Sequence, residues 1–264
     1  MAANEKNGSC TIVNSMEVHA HAHAPDGHTG KKKWKHYFWE FLMLFLAVFA
    51  GFLAENQREH IVENKREKVF IHSAMEDLNQ DIYQLDSIIA KRKEAANWMD
   101  SLTYLMNHDP KEHGSDIYFY TRWAPRTYRF YSIDRTLTQL KFGGNFRLIH
   151  KLTVSDALAN YDNITRSLTV YIEQREESLV LIMYQSINKL FDNQLFESMA
   201  EGISYRRLPG NPQLLSYDKN ALNEFCNQLH FRKTANLYFI NVAEKLLFEA
   251  KKTLALIQKE YHLE

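Results

Sequence analysis

Cysteine is nearly missing from this chain: Cys10 and Cys226 are the only two among 264 residues. They flank the apolar segment described below and are expected on opposite sides of a membrane. No disulfide then holds the fold, and a sizeable core has to do so. Net charge is missing as well, with 32 basic residues against 32 acidic ones. No overall field draws a polyanion to the chain, so nucleic acid is not an expected partner. Glycine and proline are absent from Phe52 through Asp109, which removes the usual helix breakers from that stretch. Catalytic signatures are lacking too. Gly143-Gly144 comes without the lysine and Ser/Thr of a Walker loop, and no local motif for nucleophilic or acid–base chemistry is present. The sequence leans away from an enzyme, and no cofactor is expected.

What is present first is an uninterrupted apolar run, Phe41 to Ala54 (FLMLFLAVFAGFLA), preceded by Lys31-Lys32-Lys33-Trp34-Lys35. Crossing a hydrocarbon core of about 30 Å at about 1.5 Å per residue takes about 20 residues. Extension back to Trp34 supplies them, so residues 34–54 are expected to be a single transmembrane helix. Trp34, Tyr37 and Trp39 are the amphipathic rings that settle at the headgroups. A core helix of a soluble domain seldom carries such a belt beside a lysine cluster. A cleaved signal peptide would have a shorter apolar region nearer the start, so an uncleaved signal anchor is expected. Lys31, Lys32, Lys33 and Lys35 on one side equal Arg58, Lys65, Arg66 and Lys68 on the other in number, but abut the run more closely. That places the tail, residues 1–33, in the cytoplasm and the domain, residues 55–264, on the far side of the membrane.

Two features of this region carry chemistry. Glu40 lies one residue before the apolar run. An acid at that place suggests a proton relay of the kind found in proton-driven motor complexes. It sits near the interface, one turn after His36, and snorkelling or pairing with His36 is the favoured reading. In the tail, His19, His21 and His23 alternate with alanine and are followed by Asp26 and His28. Imidazoles in such a tract are weak candidate ligands for zinc, nickel or copper. The spacing is not that of a structural zinc site, which favours a tail that binds metal weakly or not at all.

Beyond the apolar run the periodicity stays helical. Glu55, Glu59, Glu63 and Glu67 recur every four residues and read as the solvated face of a stalk. Ile71, Met75, Leu78, Ile82, Leu85 and Ile89 then follow alternating steps of four and three, continuing to Ala96 and Met99. This is an a/d coiled-coil seam of about four heptads. His108-Asp109-Pro110 ends the helix. Ile117 to Tyr131 is dense in aromatics and arginine, with a turn expected at Ala124-Pro125. Arg122, Arg126 and Arg129 are candidates for an anion- or sugar-stacking surface, although a lid on a helical bundle accounts for the same residues. Leu137, Leu140 and Phe142 make a short apolar helix face that Gly143-Gly144 breaks, with Asn145 capping the next turn. A long helix is expected from Val154 to Phe191, a loop from Ser204 to Tyr217, and a last helix capped by Asp218. The expected fold is all-α, a transmembrane helix continuing into an antiparallel bundle of long helices.

The run HYFWEFLMLFLAVFAGFLAENQREHIVENKREKVFIHSAMEDLNQDI resembles the start of a family of single-pass membrane proteins common in Bacteroidota. TLTQLKFGGNFRLIH is similar to that family's glycine-asparagine corner. The resemblance implies a bacterial envelope protein with a helical exported domain, and it implies no activity. A membrane-anchored scaffold or interaction module is then the leading function. Its partners would be the lipid bilayer and either a second copy of the chain or another envelope protein. The alternative is an accessory subunit of a sensor, transporter or motor complex, because about 35 cytoplasmic residues are too few for an output domain.

Overall fold

A computed structural model describes residues 30–263 apart from residue 203; the side chains of residues 30–32 and 173 lie outside the description. The described chain is almost wholly helical. Helix α1 runs from Gly30 to His108 without interruption, as the lack of glycine and proline predicts. It is followed by α2 (Gly114–Trp123), α3 (Arg135–Phe142), a 3-10 turn (Asn145–Leu148) and α4 (Leu152–Tyr171). A π-helical turn (Ile172–Glu176) joins α4 to α5 (Glu177–Leu190). Helix α6 (Asn193–Met199), a hairpin of β1 (Ala200–Glu201) and β2 (Ser204–Tyr205), and α7 (Lys219–Tyr261) complete the order. The chain divides into two compact units, one ending at Arg58 and one spanning residues 59–264.

In the first unit nothing covers the apolar side chains. Trp34, Phe41, Leu44, Val48 and Phe52 are all at least 66% exposed. By length and composition this is the one helix among the described residues suited to crossing a bilayer.

In the second unit the seam read from the sequence is real but belongs to a wider stripe. Ile71, Met75, Leu78, Leu85, Ile89, Ala96 and Met99 are buried, and so are Ala74, Ile88, Ala95, Leu102 and Met106. One apolar stripe per helix faces one neighbour; two adjoining stripes require two. Those neighbours are α7 and the α4–α5 rod. Asp86, Lys93 and Asp100 of α1 pair with Lys251, Glu244 and Lys233 of α7, so these helices run in opposite directions. Against α4 and the π turn the order is reversed, with Asp81 bonding Tyr161 and Arg92 bonding Glu176. Here both sets of numbers rise together, so α1 and α4 run the same way.

A parallel pair needs a return path, and residues 124–150 provide it. Arg92 donates to the Tyr128 carbonyl at 2.5 and 2.8 Å. Asp81 accepts from the Ile133 amide at 2.8 Å and from Ser132 Oγ at 2.7 Å. Asp77 accepts from the Thr136 amide at 3.0 Å and pairs with Arg135. Glu67 accepts from the His150 amide at 2.8 Å. As the chain advances from 128 to 150, its partners on α1 fall from 92 to 67. The aromatic segment therefore lies along α1.

Several local expectations are corrected. Glu67 is no part of a solvated stripe: it is 7% exposed and accepts from Tyr261 and from both nitrogens offered by His150. Phe142, expected on the buried face of α3, is 88% exposed, because α3 ends at that residue. Asn145 does not cap the next turn; Gly144 stands at that position with φ 63°, a left-handed conformation that favours glycine. The helix expected from Val154 to Phe191 is broken by the π turn, and α6 with its hairpin lies in a stretch where the spacing predicts no separate element. Asp218 does cap α7, accepting from the Ala221 amide at 2.9 Å.

Burial pushes the Glu67 carboxyl up, but the bonds from Tyr261 and His150 outweigh it and leave the group below the usual carboxylate range. A depressed acid stabilises the fold above its unfolded value, and that stabilisation is lost as pH falls through the folded one. Glu67→Gln should therefore be less stable than wild type by about 1–2 kcal/mol at pH 7. Urea unfolding at falling pH should show the gap closing below about pH 4.

Candidate functional site

The most heavily built polar site lies where α1, the π turn and α7 meet. Arg92 is completely buried at a seam position, three residues after Ile89 and four before Ala96. Its Nη1 and Nη2 donate to the two Glu176 oxygens at 2.6 and 3.0 Å, a planar two-bond match that favours arginine over lysine. Nη1 also donates to Asn236 Oδ1 at 3.2 Å, and Asn236 returns a bond to the Arg92 carbonyl at 2.7 Å. The guanidinium carbon stands 3.5 Å from the centre of the Phe239 ring. Together with the Tyr128 carbonyl, these groups satisfy the Arg92 fork.

Arg232 is the second cation, 1% exposed. Its Nη2 donates to the Arg126 carbonyl at 3.2 Å and Thr127 Oγ1 at 3.1 Å. Nη1 comes within 3.5 Å of Glu176 Oε1 but makes no hydrogen bond, and neither does Nε. The contact at Nη1 is thus Coulombic. Burial draws the Arg232 guanidinium below its ordinary range, opposed by attraction to Glu176 and reinforced by repulsion from Arg92. Two buried cations share one buried carboxylate. The cluster carries a surplus positive charge.

The π turn places Glu176 here. Its extra backbone residue shifts the register of α5 relative to α4, which turns residue 176 inward between Ile172 and Met183, both buried. Such wide turns occur often at functional sites.

The residues singled out in the sequence fall elsewhere. Arg122 lies over the rings of Tyr205 and Phe196, at 4.6 and 5.5 Å. Arg126 lies over Trp123 at 4.8 Å, and Arg129 pairs with Glu177 at 2.5 Å. Trp123 and Tyr205, the rings under Arg126 and Arg122, are themselves 5.3 Å apart, whereas Arg129 is engaged by an acid of α5. Glu40 pairs with His36 at 3.0 Å, one turn away as its spacing suggested. Trp34, Tyr37 and Trp39 are exposed on the same helix. His19, His21, His23 and His28 lie outside the described residues. Among those described, no group of three His, Cys, Asp or Glu side chains is arranged to hold a metal ion.

Sequence reasoning passed over Arg92, Glu176, Arg232 and Asn236, although a signal for the first was available. The seam steps from Ile89 to Ala96 and omits the slot between them, which Arg92 fills. An arginine in a slot of an otherwise apolar seam calls for a buried acid on a facing helix.

Comparison with protein-family models, with curated proteins and with solved structures gives no match to this chain.

Removing one partner of a buried charge cluster leaves the others uncompensated. Glu176→Gln should lower stability by about 3–5 kcal/mol. The double variant Glu176→Gln/Arg232→Met, which also removes the surplus cation, should lose less than the sum of its two single changes. Urea midpoints for the full set of variants, combined as a double-mutant cycle, check both.

Proposed function

We propose that this chain is a membrane-anchored scaffold or protein-interaction module of the bacterial envelope. Residues 34–54 cross the inner membrane, residues 1–33 stay in the cytoplasm, and residues 55–264 form a periplasmic helical domain. The carrying observation is the apolar run itself. Its large side chains are exposed on every face of α1, from Trp34 at 76% to Phe52 at 68%. A helix apolar all round, with no protein against it, is satisfied only by lipid. A bundle in which α7 runs against both α1 and α4, in place of the all-antiparallel order the sequence suggests, and the likeness to single-pass Bacteroidota proteins belong to the same reading.

The rest of the domain supports an interaction role. Val170, Leu181, Ile182, Tyr184, Leu237 and Phe248 are each at least 45% exposed, apolar surface that a partner would cover. Self-association or a second envelope protein would cover it. The alternative, a subunit coupled to a motor or transporter through Glu40, is less favoured because Glu40 already has a local partner in His36 at 3.0 Å.

Membrane fractionation should leave the protein in the pellet after alkaline carbonate extraction. An impermeant thiol reagent, applied after the outer membrane is opened, should spare Cys10. Cys226 is 8% exposed, and burial pushes its thiol up, so it should react only once mild denaturant loosens the domain. Release by carbonate would sink the anchor, and labelling of Cys10 in intact inner membranes would reverse the orientation.

A further inference from the structure

At the π turn, the groove between the α4–α5 rod and α7 opens into a depression of about 500 Å³, within the range of small-molecule sites. Ala235, 3% exposed, forms its floor. Phe231 and Tyr238 flank that alanine at helical spacing, and its small side chain leaves the space between them. Tyr171 and Tyr238 make one wall, with ring centroids 4.4 Å apart. Leu179 adds apolar surface, and Arg175, the fourth residue of the π turn, is the cation among the lining side chains.

Arg175 differs from the other arginines near it. Arg92, Arg126, Arg129 and Arg232 each have a carboxylate, carbonyl or ring as partner. Among the described residues, Arg175 has neither an ion pair nor a hydrogen bond. A second depression shares Tyr171, Arg175 and Leu179 and adds the polar side chains of Gln174 and Ser178. Of the charged side chains acting on Tyr171, Arg175 is felt most strongly, Glu176 opposes it, and Arg232 is felt less than either. Arg175 is exposed at the groove, and its charge repels a cationic ligand and attracts an anion.

We propose that this groove is a binding site for a flat organic acid, its planar body held between the tyrosine pair and Phe231 and its carboxylate on Arg175. Arginine matches a carboxylate with two parallel bonds, and aromatic rings hold a planar body by offset or edge contacts. The site is independent of the membrane anchor and does not rest on the scaffold reading.

The test is calorimetric titration of the full-length protein in detergent micelles with 2-naphthoate, and with 2-naphthamide as the uncharged control. Wild type should bind naphthoate saturably, one per chain. Arg175→Gln should weaken that binding at least about tenfold, Arg175→Lys should weaken it less, keeping the charge but losing the two-bond match, and naphthamide should be insensitive to both changes. Phe231→Ala, at a side chain 56% exposed, should weaken both compounds without altering the melting temperature. Partition into the micelle is common to every variant and does not saturate. Absence of saturable naphthoate binding, or equal naphthoate affinity in wild type and Arg175→Gln, overturns the proposal.

Discussion

A backbone that leaves the helix inside a protein must find partners for its amides and carbonyls, and the chain between α2 and α4 does so on both sides of the short α3 while lying against α1. Much of the domain depends on how that demand is met. Arg92, Asp81, Asp77 and Glu67 are spaced down one side of α1 and take up Tyr128, Ile133, Thr136 and His150 in turn. They act as a ladder of side-chain partners where a neighbouring strand would otherwise be needed. Because the ladder runs the length of the segment, the chain is carried back along α1 to the level of Glu67 before α4 begins. Helix α4 can then lie parallel to α1, with α7 opposing both.

Each rung brings its own consequence. Asp81 is buried, and burial raises its carboxyl above the usual range despite bonds from Tyr161, Ile133 and Ser132. Glu67 moves the other way because Tyr261 and His150 both donate to it. The top rung is the costly one. Arg92 cannot shed its charge, so a carboxylate has to come to it. The π turn delivers Glu176, and the second arginine that α7 brings to the same place leaves the site positive. The depression beside the turn takes its cation from the turn itself, at Arg175.

The helices were legible because their signals are local. The lack of glycine and proline to Asp109, the four-and-three spacing from Ile71 and the Asp218 cap each need only neighbours along the chain. The cluster was not legible, since Arg92 and Asn236 are 144 positions apart and nothing in either segment names the other. Glu67 illustrates the limit most plainly. Its spacing from Glu63 marked it as one of an acidic row, and only the arrival of His150 and Tyr261 makes it a buried acceptor. The π turn was invisible for a different reason. The apolar spacing continues across it, so a single extra residue leaves little trace in the pattern. Arg122, Arg126 and Arg129 drew attention as a group because they are close in sequence, yet each is held by separate aromatic or acidic neighbours.

Exposed apolar surface occurs in both parts of α1, and its distribution tells the two apart. From Phe41 to Phe52 the exposed residues fall on consecutive positions and therefore on every face. In residues 59–108 they are isolated, as at Val69, Tyr83 and Tyr104, with buried positions between them. A helix packed against protein keeps one or two apolar stripes and leaves the remainder to water. The first pattern is the one the proposed membrane span would need. Glu40, at the edge of that pattern, has the His36 imidazole within one turn. The boundary between the two patterns coincides with the first dense run of charge, where Glu55 and Arg58 pair at 2.5 Å. One continuous helix thus carries two side-chain patterns, apolar on every face before the charged run and striped after it.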